Sequence, residues 1–304
     1  MNRTKTVVAA LAALVMAAAF TGCGTPSYLK IEKLSDGGKV VEVKDGKRDK
    51  VPAKVVIPKG VTRIAGSAFY GCKSLESVTI PESVTEIGKS AFAWCESLAN
   101  VTIPEGVTEI REDTFGNCKS LESVTIPNSV TRIGNSAFYG CKPLASITIP
   151  ASVTEIGNNA FGDCTSLESI TIPGGVTKIN VQTFSKCESL TSVTIPDDVT
   201  EIGNSAFYGC KSLTSVTIPA SVTRIGREAF YKCPSLASVT IPASVTEIDR
   251  SAFYECPSLA SVTFQGTKAQ WQKIRKGRDG YIAGKGAVQC TDGELPSQEW
   301  FSKW

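Results

Sequence analysis

The sequence predicts a repeat solenoid of nine 23-residue units, and three residue columns predict it. Proline recurs at 58, 81, 104, 127, 150, 173, 196, 219 and 242. Phenylalanine recurs at 69, 92, 115, 138, 161, 184, 207, 230 and 253, and cysteine at 72, 95, 118, 141, 164, 187, 210, 233 and 256. Every interval is 23, without insertion or deletion, over residues 58–264. A fixed period of 20–50 residues means stacked units that share one continuous core. The 304 residues therefore form one capped stack, not the two ordinary domains that length alone suggests.

Within a unit the pattern P-x-[SGD]-V-T-x-I-G-x-x-A-F-x-x-C-x-S-L-x-S-V-T-I places each element. Leu75-x-x-Val78-x-Ile80 alternates at period two around Thr79 and reads as a short strand. Pro81 ends it, having no N–H to give to the ladder. Val84 and Ile87 make a second inward-facing extended piece, and Gly88 turns the chain. Ala91-Phe92-x-x-Cys95 reads as a compact turn of 3₁₀ or α-helix. Equivalent strands run parallel and, at about 4.8 Å each, stack to roughly 43 Å. The Phe column is the expected centre of the core. Units one, four and seven share Ser-Ala-Phe-Tyr-Gly-Cys-Lys, while units three and six carry Thr114 and Thr183 before the Phe. This suggests growth by blocks of three units.

Open solenoid ends expose apolar faces and need caps. Val40–Val43, a turn at 44–47 and Lys54–Ile57 read as strand, turn, strand, so residues 37–57 are the expected N-terminal cap. Residues 265–304 are the C-terminal cap and tail. Trp300-Phe301-Ser302-Lys303-Trp304 either folds back onto the cap or serves as a partner site. At the other end, Arg3 and Lys5 precede an apolar run from Val7 to Phe20. That run is too short for a span of about 20 residues and suits a secretory signal.

Two resemblances follow from these residues. Phe20-Thr21-Gly22-Cys23 resembles a bacterial lipoprotein box, with Phe20 where Leu is usual, as in looser spirochaete boxes. It implies cleavage of residues 1–22, lipid attachment at Cys23 and a tether over 23–36. The motif L-x-S-V-T-I-P-x-S-V-T-E-I-G-x-x-A-F-x-x-C-x-S, as at residues 75–97, resembles the BspA-type bacterial leucine-rich repeat proteins. Ser83, Ser129 and Ser152 stand where the general leucine-rich pattern has Asn. The resemblance implies a right-handed solenoid with a parallel sheet, displayed at the cell surface. Phe264-Gln265-Gly266-Thr267 onward resembles that family's C-terminal cap, which implies a short helix at Lys268-Ala269-Gln270-Trp271 and a last strand at Ala287-Val288-Gln289-Cys290. The family resemblance also implies adhesion to host or neighbouring-cell proteins such as fibronectin or fibrinogen, with the lipid anchor in the outer membrane. The alternative is a scaffold facing the periplasm and holding an endogenous envelope partner.

Composition narrows the chemistry. The chain has no His, which excludes Ser-His-Asp triads, Cys-His pairs and His-ligated metals. Its 32 Lys+Arg against 29 Asp+Glu give no electrostatic reason to expect nucleic acid. Cysteines spaced by 23 along a line do not converge as zinc ligands do, and read as buried free thiols. No irregular acid pair suggests catalysis. The chain thus reads as a non-enzyme without metal or cofactor; a protein ligand as its partner is what the resemblance implies. Position 63 and its equivalents mostly alternate in sign (Arg63, Glu86, Glu109, Arg132, Glu155, Lys178, Glu201, Arg224, Glu247), which reads as register control. The residue after Phe is Tyr70, Tyr139, Tyr208, Tyr231 or Tyr254 in five units, and Trp94 sits one position later in unit two. These six are the candidate binding surface if exposed; partial burial between adjacent turns is the equal alternative.

Overall fold

Each unit lays three rungs around a shared interior. The computed structural model describes residues 25–277 and 287–296. The signal, Cys23 and the aromatic tail at 300–304 lie outside the described residues. The first rung is a strand such as Ser77–Thr79 or Asn100–Thr102, paired parallel and in register with its neighbours, Val on Val and Thr on Thr. Alternation sends Val inward and leaves Ser and Thr outside. Pro81 closes the strand, and its carbonyl accepts the Val84 N–H at 3.0 Å. The second rung is a two-residue strand such as Glu86–Ile87.

The third rung is the expected compact turn, without continuing into a 3₁₀ or α-helix. Ser67, Phe69 and Gly71 donate their N–H groups to the carbonyls of Lys89, Ala91 and Ala93 in the next unit, at 2.7–2.8 Å. The same three-bond pattern recurs up the stack, as in Ser205, Phe207 and Gly209 to Arg227, Ala229 and Tyr231. The intervening donors close turns within the unit, as Tyr70 to Ser67 and Cys72 to Phe69 at 3.1 Å, so turn bonds alternate with bonds between units and no continuous helix forms. Two residues per unit hold a left-handed φ to aim these donors, for example Ser90 at 53° and Trp94 at 60°. Within 58–264 this segment is all turns, and the 3₁₀ helix among the described residues is Arg48–Lys50 in the cap.

The interior is built on the predicted columns. The nine Phe rings are at most 1% exposed. They stack in one line with centroids 5.2–5.7 Å apart and planes within 15°. Such offset stacks add to area burial. Behind them the Cys95 Sγ lies 3.1 Å from the Phe69 carbonyl, a contact repeated at every later repeat cysteine. These thiols are buried and free. Burial pushes Cys72 up to about 11 and Cys118 and Cys164 up to about 12.

Pairing along the second rung breaks twice, between Glu86–Ile87 and Glu109–Ile110 and between Glu155–Ile156 and Lys178–Ile179. At the other steps between repeats one or both of two devices hold it, while unit one, with Gly60 and Ala65, pairs with the cap strand without either. A serine hydroxyl donates to a carbonyl below, as Ser152 to Val130 at 2.7 Å. A glycine after the Ile lets backbones touch: a Cβ at Gly134 or Gly157 would lie 2.6–2.7 Å from the backbone N below. Units three and six lose both, having Gly106 and Gly175 for the serine and Arg111 and Asn180 for the glycine. Unit nine replaces only the glycine, by Asp249, keeps Ser244 bonded to Val222, and stays paired. On the first rung, Ser146–Thr148 drops out of the sheet. There Pro143 replaces a serine whose N–H elsewhere reaches the previous unit, as Ser166 does to Lys142 at 3.1 Å.

The caps follow the expected chemistry with one correction. The tether expected over 23–36 gives way at Leu29: Leu29–Lys33 forms an antiparallel hairpin with Lys39–Val43. Leu29 and Val41 are fully buried, so this apolar alternation covers the end of the core. At the other end a Thr267–Gln270 capping box starts the helix Lys268–Lys273. Its Trp271 packs edge-on against Phe264 at 5.2 Å. Val288–Cys290 extends the first-rung sheet, and Gly293–Leu295 adds a strand the sequence pattern does not announce.

Candidate binding surface

The left-handed turns position the aromatic column. With Phe turned inward, the next residue must face out, and the 23-residue period lines its equivalents along one edge. Tyr70 and Tyr254 are each 40% exposed and Trp94 39%, while Tyr139, Tyr208 and Tyr231 are half-buried. Both sequence readings therefore hold in part: the rings cover adjacent turns and still show a face to solvent.

The structure brings three of the six together. Tyr208 and Tyr231 lie 5.3 Å apart, tilted by 54°, and Tyr231 and Tyr254 stack at 5.7 Å. The Tyr231 hydroxyl donates to Glu255 Oε1 at 2.7 Å, and this bond raises its pKa. Lys232 Nζ lies 5.1 Å from the same ring centroid. Lys232 and Glu255 thus frame the ladder. Sequence reasoning missed them, although both occupy the position of Trp94 in their own units. The other three aromatics stand apart. Tyr139 leans over Gly162, where a Cβ would come within 3.2 Å of its ring. Tyr70 carries the Arg48 guanidinium 5.9 Å from its ring centroid and Trp94 the Lys119 ammonium at 5.5 Å.

A second edge holds the charge column. Arg132 reaches Glu109 at 2.5 Å and Glu155 at 2.9 Å, and Arg224 reaches Glu201, Glu247 and Asp249 at 2.5–3.5 Å. The one like-charged step with acids on both sides, Glu86 above Glu109, is bridged by Arg111 at 2.8 and 3.8 Å. Exposed pairs contribute about 0–1 kcal/mol each, so this column sets register and has no unpaired charge to offer a ligand. Among the described residues no three of Cys, Asp and Glu converge as metal ligands would.

Two parallel rungs, a Phe stack and a thiol column at 23-residue period are the geometry against which known proteins can be compared. The family model described as BspA type leucine rich repeat region (6 copies) matches residues 52–168 and 154–274. The chain belongs to the BspA-type leucine-rich repeat family. A leucine-rich repeat protein from Bacteroides ovatus is 31% identical to this BspA-type chain, with a TM-score of 0.75 over 87% of it and 68% of the other. The T. pallidum leucine rich repeat protein is 35% identical, with a TM-score of 0.57 over 62% of this chain and 90% of that one. Pneumococcal vaccine antigen PcpA shares the fold at 17% identity and a TM-score of 0.53, over 87% of this chain and 92% of that one. No curated protein matches.

Proposed function

We propose that the chain is a cell-envelope lipoprotein, anchored through Cys23 in the outer membrane, whose solenoid binds a protein at the cell surface. The ligand is a host or neighbouring-cell protein of the fibronectin or fibrinogen kind, and the activity is adhesion. The observation that carries the binding surface is the contiguous run of Tyr208, Tyr231 and Tyr254, framed by Lys232 and Glu255. Tyrosine and tryptophan anchor interfaces because they bury large area with few torsions to freeze. Here the rings are already held by their neighbours, so little entropy remains to be lost on binding. Tyr70, Trp94 and Tyr139 extend the same edge and give weaker, additional contacts that act together.

The test has two parts. Protease shaving of intact cells, with a C-terminal epitope tag and a periplasmic control protein, reads the orientation. Loss of the tag with the control intact supports surface display; a tag lost only after lysis supports a periplasmic scaffold instead. Immobilised fibronectin and fibrinogen then receive wild type and a Tyr208→Ser, Tyr231→Ser, Tyr254→Ser variant. Binding weakened at least tenfold in the variant supports the tyrosine edge. Equal binding by both proteins moves the site to another face.

A further inference from the structure

The N-terminal cap holds a cleft that the repeat pattern does not account for. The hairpin register sets Lys33 directly opposite Lys39. Like charges placed so destabilise a sheet pair. Lys59 joins them, and the three lysines line one open cleft of about 380 Å³ whose apolar wall is Ile31, Pro58 and Val61. The acids of the hairpin are turned to other cations. Glu32 and Glu42 lie 2.6 and 3.0 Å from Lys30. Asp36 lies 2.6 Å from Arg63 and also accepts the Gly38 N–H at 2.9 Å.

The distribution of charge agrees. Residues 25–60 hold nine Lys+Arg against five Asp+Glu, a net +4, whereas residues 61–304 hold 21 against 24, a net −3. The near-neutral total hides a positive pole at the cap.

We propose that the cleft of Lys33, Lys39 and Lys59 binds a phosphate group, carried by an anionic lipid headgroup or by a soluble phosphate ester. A phosphate brings negative charge to three ammonium groups that otherwise repel, and lysine binds phosphate as a compact point charge. The rim includes Thr25, two residues from Cys23. An anchored chain would hold this end at headgroup level, where basic groups are drawn to anionic lipid. Only that lipid source rests on the anchor reading; phosphate binding itself does not.

Thermal melting of the full chain in neutral detergent tests the site, because a ligand bound only by the folded state raises the midpoint. The probes are inorganic phosphate, against chloride at equal ionic strength, and micelles doped with phosphatidylglycerol, against undoped micelles. Wild type should shift upward with at least one probe. A Lys33→Gln, Lys39→Gln, Lys59→Gln variant should melt no lower than wild type without ligand, the repulsion being gone, and should not shift. Removing the same charge at Lys44, Lys47 and Lys50 should leave the shift intact. A shift with phosphate alone assigns a soluble ester, and a shift with the lipid alone assigns a headgroup. No shift with either probe, or equal shifts in wild type and the cleft variant, overturns the proposal. Lys59→Gln, a loop change, serves if the triple variant does not fold, and its shift should shrink.

Discussion

Raising the pH from 7.5 to 9.5 tests the thiol column most directly. Burial holds Cys72, Cys95, Cys118, Cys141, Cys164, Cys187 and Cys210 protonated above the ordinary thiol range. In the unfolded chain such thiols ionise near pH ~8.5. Above that pH the unfolded chain binds fewer protons than the folded one, so stability falls as pH rises. The contribution is complete below the unfolded value and is lost on the way to the folded values, which begin at about 11 for Cys72. Each thiol supplies a slope of about 1.4 kcal/mol per pH unit, and seven supply about 10. One unit above the unfolded value, the loss matches the ~5–15 kcal/mol stability of a whole domain. Urea unfolding followed by circular dichroism under reducing conditions, at pH 7.5, 8.5 and 9.5, is the assay, with thiolate absorbance recorded alongside. The urea midpoint should collapse between pH 8.5 and 9.5, and thiolate should appear with unfolding. Replacing Cys141 and Cys187 by Ala should make the slope shallower by about a quarter. A midpoint flat to pH 9.5, or thiolate formed while the protein stays folded, would refute the reasoning.

Three further outcomes are expected. Phe161→Ala should cost about 3–5 kcal/mol and split one unfolding transition into two, since each unit leans only on its neighbours; calorimetry reads both. Lys186 holds φ at 58°, a conformation that costs an L-residue about 1–2 kcal/mol. Lys186→Gly should therefore stabilise by about 0.5–1 kcal/mol after glycine's extra unfolded-state entropy is subtracted, and a lower melting point would count against the left-handed turn. Ser152→Ala removes the hydroxyl bond to Val130 and should cost about 1 kcal/mol in urea unfolding.

The repeat was legible because its determinants are one-dimensional. Pro81, Phe92 and Cys95 each recur at a fixed interval, and a fixed interval means a fixed place in the stack. The strand at Ser77–Thr79 followed from alternation, and the helix at Lys268–Lys273 from the resemblance of the C-terminal end to the family's cap. The third rung was not legible, because Ser90, Trp94 and most of their equivalents are not residues that advertise a left-handed φ; Gly71, Gly140 and Gly209 do, and Asn117 and Asn159 less strongly. Nor was the hairpin at Leu29–Lys33, whose pattern is one strand long and mixed with charge. The tyrosines were found by column, yet their grouping depends on spacing that no single position carries: Ser185 below Tyr208 ends the ladder as surely as Tyr254 extends it. The lysine cleft needed the register of Lys33 on Lys39, which a hairpin unseen in the sequence cannot supply.

The breaks in the second rung bear on how such a chain lengthens. The paired segments restart at Glu109 and at Lys178, in units three and six, 69 residues apart. That is the block length read from the shared Ser-Ala-Phe-Tyr-Gly-Cys-Lys units. Both units lose the serine and the glycine together, and both replace Ala by a threonine, Thr114 or Thr183, whose hydroxyl bonds the carbonyl of Arg111 or Asn180 at 2.7 or 2.9 Å. Unit nine, one block further on, keeps Ser244 and Ala252 and stays paired, so not every block carries the joint. At each joint the third rung is uncut: Phe92 still donates to Thr114 and Phe161 to Thr183, both at 2.9 Å. The Phe stack crosses both joints at 5.6–5.7 Å. Only one wall of the solenoid is opened, so bending at a joint would turn about the Phe wall and leave the core continuous. Blocks of three can then be added without disturbing the columns that hold the stack, and the edge that carries the tyrosines adjoins the wall that stays intact.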